Sequence, residues 1–208
     1  MDGLLVDSER MARGVLQAAA ADCGFSLSDE VYLTLIGGRP EDADAMLAEH
    51  FGETFHVPTF RSRRVVRKRE IIESAPVALK PGARELLVFV AKIGMPIGLA
   101  TGSSREDVRE LLGNLTEVFH AIVTRDDVVR RKPCPDLYLA AATSLGVEPA
   151  ECFAVEDSFS GVRAAAAAGM TVLMVPDLAE PTPDVARLAA GVYGSLVEVR
   201  EALEAWEW

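Results

Sequence analysis

Cysteine is scarce in this 208-residue chain, and the three present, Cys23, Cys134 and Cys152, are odd in number and share no metal-type spacing. That argues against a disulfide framework and fits a reducing cytoplasm. Basic residues are also short, since 21 Lys and Arg face 32 Asp and Glu for a net charge of -11. Such a surface repels phosphate backbones and anionic lipid, so nucleic acid and membranes are not expected partners. No apolar run approaches the roughly 20 residues that span a bilayer. The N-terminus carries acidic Asp2 and Asp7 where a secretory signal would be basic. Glycine and proline, 16 and 11, are too few and too irregular for a fibrous chain. What is plentiful is apolar: 50% hydrophobic with 25% charged residues describes a globular chain, long enough for one domain and a small second one.

From Asp7 to about Ser74 the pattern is helical, with Leu16, Ala19 and Ala20 at helix spacing and no strand-type alternation. After Pro81-Gly82 short apolar runs alternate with amphipathic stretches. The runs are 96–100, 120–123, 152–155 and 171–175. Strands separated by helices build a parallel sheet. Between them, Ser104-Arg105-Glu106-Asp107 has capping character, and Pro135 suits the first turn of a helix reaching Ser144. Phe159 to Ala168 makes an Ala-rich helix that Gly169 ends, and Leu196 to Trp208 is amphipathic.

In an open parallel sheet, ligands bind beyond the carboxyl ends of the strands. Thr101-Gly102-Ser103-Ser104 follows the first run, Lys132-Pro133-Cys134-Pro135-Asp136 lies between the second run and the next helix, and Glu156-Asp157-Ser158 follows the third. A hydroxyl with free N–H groups at a helix start suits a phosphate oxygen, and a lysine cancels phosphate charge. Paired carboxylates suit a hard cation such as Mg²⁺. Together they point to phosphoryl transfer, although each alone also reads as a cap, a loop or a solvated acid.

With these motifs in this order, the chain resembles the haloacid dehalogenase-like hydrolase superfamily, in its subfamily of β-phosphoglucomutase-like and sugar-phosphate phosphatase proteins with a helical cap. Asp2 to Glu9 matches the end of the first motif, Thr101 the second, Lys132 to Asp136 the third and Val155 to Val162 the fourth. The resemblance implies an α/β fold: a Rossmann-like parallel-sheet core from residues 1–8 and 79–208, with an inserted α-helical cap at 9–78. It implies Mg²⁺ and a covalent aspartyl-phosphate. By position, Asp2 is the general acid/base, with its carbonyl on the metal. Thr101, Gly102 and Ser103 hold the phosphoryl group with Lys132, which also orients the nucleophile. Glu156 and Asp157 complete the metal site. In the cap, Gly38 and Arg39 of Ile36 to Pro40 resemble the specificity loop, a stretch that also reads as a plain helix–helix turn.

Two departures qualify that likeness. The family's first motif is Asp-x-Asp-Gly at the end of an apolar strand, and only Met1-Asp2-Gly3 is here. The expectation is that the natural protein begins earlier. Without the nucleophile, turnover should fall by about four decades. Without about five buried strand residues, stability should fall by on the order of 10 kcal/mol. Second, relatives that isomerise hexose phosphates place His ten residues beyond the acid/base, where this chain has Ala12. Hydrolysis of a small phosphorylated metabolite by a monomer is therefore expected ahead of mutase activity. An inactive relative that binds Mg²⁺ and phosphate, or a partner-binding module exposing an unpaired sheet edge, is the alternative of another class. Six basic residues between Arg61 and Arg69 read as a solvated helix face or as a steering patch.

Overall fold

The computed structural model describes residues 1–35, 40–74, 77–177 and 179–206, with only the backbone of 40 and 41. The chain divides into two compact units, Ser8–Val77 and Met1–Asp7 with Ala78–Trp208.

Ser8–Val77 is helical: α1 (Ser8–Asp22), α2 (Asp29–Leu35), α3 (Pro40–Phe51) and α4 (Val57–Ser74). Its interior gathers Ala19, Ala20, Leu47 and Phe60, all fully buried. Phe25, Phe51, Phe55 and Phe60 stack in a chain with ring centroids 4.8 to 5.2 Å apart. The basic run lies on α4 and is partly occupied within this unit. Arg61 reaches Asp44 at 2.5 Å and Arg64 reaches it at 3.5 Å, while Arg67 bridges Asp22 at 2.5 Å and Glu70 at 2.8 Å. Arg61, Arg64 and Arg67 thus offset acids of their own unit, which weakens a steering role.

The other unit alternates strands and helices. Its helices are α5 (Ala83–Lys92), α6 (Arg105–Leu112), α7 (Asp136–Leu145), α8 (Phe159–Ala167), α9 (Pro183–Ala186) and α10 (Leu196–Glu204). Its strands are β1 (Gly98–Ala100), β2 (Ala121–Val123), β3 (Phe153–Glu156), β4 (Thr171–Met174) and β5 (Gly191–Val192). The pairings among these five strands are parallel. Local signals explain the boundaries. Ser104 and Asp107 form a reciprocal capping box at the start of α6, and the Ser158 hydroxyl accepts from Gly161 N at the start of α8. The alanine run is a packing face: Ala164 and Ala165 are fully buried against a cluster holding Val172 and Met174, because small side chains let a helix approach the sheet closely. Trp206 packs edge-on against Phe153 at 4.9 Å, whereas Trp208 lies outside the described residues.

Among the described residues the strands form two sheets, β1-β2 and β3-β4-β5. An apolar cavity of about 310 Å³ is lined by residues of β1 and β3 and by Met1, Leu5, Leu87 and Leu196.

Candidate active site

The first seven residues fold into a tight turn. Leu5 N and Val6 N both donate to Met1 O, at 2.8 and 3.2 Å, and Lys80 N donates to Leu5 O at 2.9 Å. Gly3 sits at φ 69, and a Cβ there would stand 2.4 Å from Asp157 Oδ2 and 2.9 Å from Asp177 Oδ2. Only glycine allows both the conformation and the close approach of two carboxylates. The turn carries Asp2 to the end of β1, where Asp2 Oδ2 accepts from Ser103 Oγ at 2.5 Å.

Beyond β1, Thr101 is 2% exposed and its hydroxyl accepts from Ser103 N at 3.1 Å. Gly102 faces open space, with nothing within 4 Å of where its Cβ would be. This is a small hydroxyl-lined turn at the carboxyl end of a strand.

Lys132 joins the ends of β1 and β3. Its ammonium donates to Ala100 O at 3.2 Å and to Glu156 Oε1, and it lies 4.9 Å from the centre of the Tyr138 ring. Glu156 is 4% exposed. Its Oε1 also accepts from Tyr138 Oη, and its Oε2 accepts from Ser158 Oγ at 3.0 Å and Ser158 N at 3.3 Å. Burial alone would raise the Glu156 pKa, but the charge of Lys132 and its hydrogen bond outweigh that and hold it below the ordinary value. For Asp157 the opposing pull of the N-terminal ammonium and of Lys132 is too weak. Burial first, and then the charge of Glu156, push its pKa up to about 7. Burial, with the nearby Glu156 charge, likewise raises the Tyr138 phenol.

The structure therefore brings Asp2, Thr101, Ser103, Lys132, Glu156 and Asp157 to the carboxyl ends of β1 and β3. Gly38 and Arg39 lie outside the described residues. Three further residues were not anticipated. Tyr138 lies six positions after Lys132, a spacing that could have signalled it. Lys80 and Asp177 pair at 2.5 Å beside the Gly3 turn, and their separation of 97 residues left no local trace. The cysteines are free, and burial raises the Cys152 thiol, which argues against thiolate chemistry there.

Among the described residues, no group of three or more His, Cys, Asp or Glu forms a ready-made metal cluster. The donor set still fits a hard cation: a buried carboxylate with a raised pKa lies beside a second carboxylate, opposite a glycine whose bare Cα leaves room. Magnesium asks for only one or two carboxylates plus water and substrate oxygens.

Residues 1–169 match the family of haloacid dehalogenase-like hydrolases. The chain belongs to that family. It is 30% identical over 209 residues to the bifunctional riboflavin kinase/FMN phosphatase of Arabidopsis thaliana, covering 99% of this chain and 54% of that protein. It is 30% identical over 182 residues to hexitol phosphatase B of Escherichia coli, covering 85% and 81%. The solved structure of a haloacid dehalogenase family hydrolase from Deinococcus radiodurans, with bound phosphate and sodium, superposes with a TM-score of 0.80 at 32% identity, covering 98% of this chain and 92% of that one. In haloacid dehalogenase-like terms, the chain combines a strand-helix core bearing the motif residues with a helical unit.

Proposed function

We propose that this chain carries the phosphoryl-transfer site of a Mg²⁺-dependent phosphohydrolase acting on a small phosphomonoester, a sugar phosphate by preference, through an aspartyl-phosphate. The observation that carries this reading is Lys132, whose ammonium bonds Ala100 O at the end of β1 and Glu156 at the end of β3. One largely buried cation is thereby held where the hydroxyl turn and the paired carboxylates meet. The phosphatases among its relatives supply the substrate class.

In this reading the Thr101-Gly102-Ser103 turn binds the phosphoryl oxygens and Lys132 offsets their charge. Asp2, already hydrogen-bonded to Ser103, is placed to protonate the leaving oxygen and then to take a proton from water. Asp157, Glu156 and the Asp2 carbonyl are the groups that would hold Mg²⁺, which when bound supplies charge neutralisation at the transferring phosphoryl. Glu156 additionally anchors Lys132 and Tyr138. The helical unit, with Gly38 and Arg39, serves as the cap that selects the leaving group. Ala12 favours hydrolysis over isomerisation.

A covalent route needs a carboxylate two positions before Asp2, and these 208 residues hold none there. We therefore propose that they alone turn over substrate at a rate lower by about four decades than a form carrying that carboxylate. The test measures phosphate release from p-nitrophenyl phosphate and a panel of sugar phosphates with Mg²⁺, using this chain and a version extended upstream by an apolar strand ending in Asp. Release by the extended form, abolished by Lys132→Met, supports the reading. No release from either form sinks it.

A further inference from the structure

We infer that Asp127 is a positioning residue, which with Asp126 fastens the turn from Thr101 to Ser104 to the end of β2. This role rests on the reading of Thr101 to Ser103 as the phosphoryl seat. The turn needs fastening, because Gly102 stands in its middle with nothing within 4 Å of where its Cβ would be. A loop left free must be ordered by its ligand, and that ordering is subtracted from the affinity. Opposite this turn, the chain leaving β2 runs Thr124-Arg125-Asp126-Asp127. Thr124 is fully buried, and its N–H and its hydroxyl both donate to Asp127 Oδ2 at 2.7 Å. Asp127 N donates back to Thr124 O at 3.1 Å. The Asp127 carboxylate is thereby fixed on its own loop.

Bonds then cross from this loop to the turn and to the start of α6. Arg125 N donates to Ser103 O at 3.2 Å, and Arg105 N donates to Asp126 Oδ2 at 2.8 Å. One Nη of Arg105 donates to both oxygens of Asp127, each at 2.7 Å. The hydrogen bond from Arg105, with those from Thr124, brings the Asp127 pKa down to about 2, so the group stays an anion across the neutral range. Charge alone gives these acids no place beside an anion seat, since each carboxylate repels a phosphate. Arg105 on Asp127, and Arg125 at 3.8 Å from Asp126, offset them. What remains is geometric. The backbone of Ser103 and the first residue of α6 are pinned from outside the site, so the Thr101 and Ser103 hydroxyls are set before a phosphate arrives.

The experiment measures, by calorimetry on the 208-residue chain, the binding of inorganic phosphate with Mg²⁺ present and of Mg²⁺ alone, together with amide exchange. Asp127→Ala removes a negative charge and releases Arg105, so charge by itself would tighten phosphate. Positioning requires the opposite, a phosphate dissociation constant raised at least about tenfold. Mg²⁺ affinity should stay within about twofold, and exchange at the Ser103 and Arg125 amides should quicken at least about tenfold while that of His120, which bonds Ile97 O, does not. Asp127→Asn keeps an acceptor for Thr124 and loses the charge. It should move phosphate binding in the same direction by less, and it takes the place of the alanine variant if that one unfolds. Asp184→Ala, which breaks the exposed pair with Arg163, should change none of these readings. Phosphate bound as tightly as before, or more tightly, by the Asp127 variant overturns the inference and leaves the catalytic reading standing. So does exchange quickened equally at His120, the mark of a merely structural loss. If the unmodified chain binds no phosphate, the catalytic reading of the turn fails and this inference falls with it.

Discussion

Replacing Asp157 with Asn should stabilise the protein at alkaline pH while removing a site carboxylate. In the folded chain burial and Glu156 push the Asp157 pKa up to about 7, against an ordinary value of 3.8. Between those values the unfolded chain has released this proton and the folded chain still holds it. Stability therefore falls as pH rises through that window, and the penalty is complete above about pH 7. A tenfold change in an acid constant corresponds to about 1.4 kcal/mol, so the full penalty is at most about 4 kcal/mol, and about half of that where water screens the carboxyl. Asp157→Asn has no proton to lose. Its thermal midpoint should match that of the unmodified protein near pH 4 and exceed it by on the order of 5–10 °C at pH 8. Midpoints measured from pH 4 to 8 without divalent cations, and again with Mg²⁺, make the comparison. Mg²⁺ should recover most of the difference for the unmodified chain and little for the variant. Parallel pH profiles for the two proteins would refute the reasoning, as would a variant less stable at pH 8 than at pH 4.

Other substitutions probe the same edge. Lys132→Met leaves the buried Glu156 without its cation and should cost about 3–5 kcal/mol by urea unfolding, with Glu156→Gln in the same chain recovering a large part. Gly161→Ala would place a methyl 2.1 Å from the Glu156 carboxyl, and should cost about 1–3 kcal/mol with a lowered denaturant midpoint. Ser104→Ala removes one half of the α6 capping box and should cost about 1 kcal/mol in the same assay, leaving Mg²⁺ binding by calorimetry unchanged.

The likeness between sequence and fold was greatest where the cause was local. Ser104 with Asp107 announces a helix start because a cap is satisfied within three residues. The apolar runs at 96–100, 120–123, 152–155 and 171–175 announce buried strands, which the structure places at 98–100, 121–123, 153–156 and 171–174. The strand-end rule pointed to Thr101, Lys132, Glu156 and Asp157 at one edge, and the family resemblance added Asp2. The small β5 strand was not legible, because two residues carry no periodicity and Gly191–Val192 is defined by its neighbour β4.

By itself, then, the sequence determined the α/β class and the helical segment through short-range periodicity, and the inventory of candidate site residues through motif order together with the family resemblance. Tertiary structure alone decided how that inventory is used. It turned Glu156 into the shared acceptor of Lys132 and Tyr138, set Lys80 and Asp177 beside Gly3, and placed a cavity along the edges of β1 and β3. These outcomes depend on groups up to 97 positions apart competing for the same small volume. Burial, which shifts charges and selects partners, is a property of that volume and leaves no mark on any one stretch of chain.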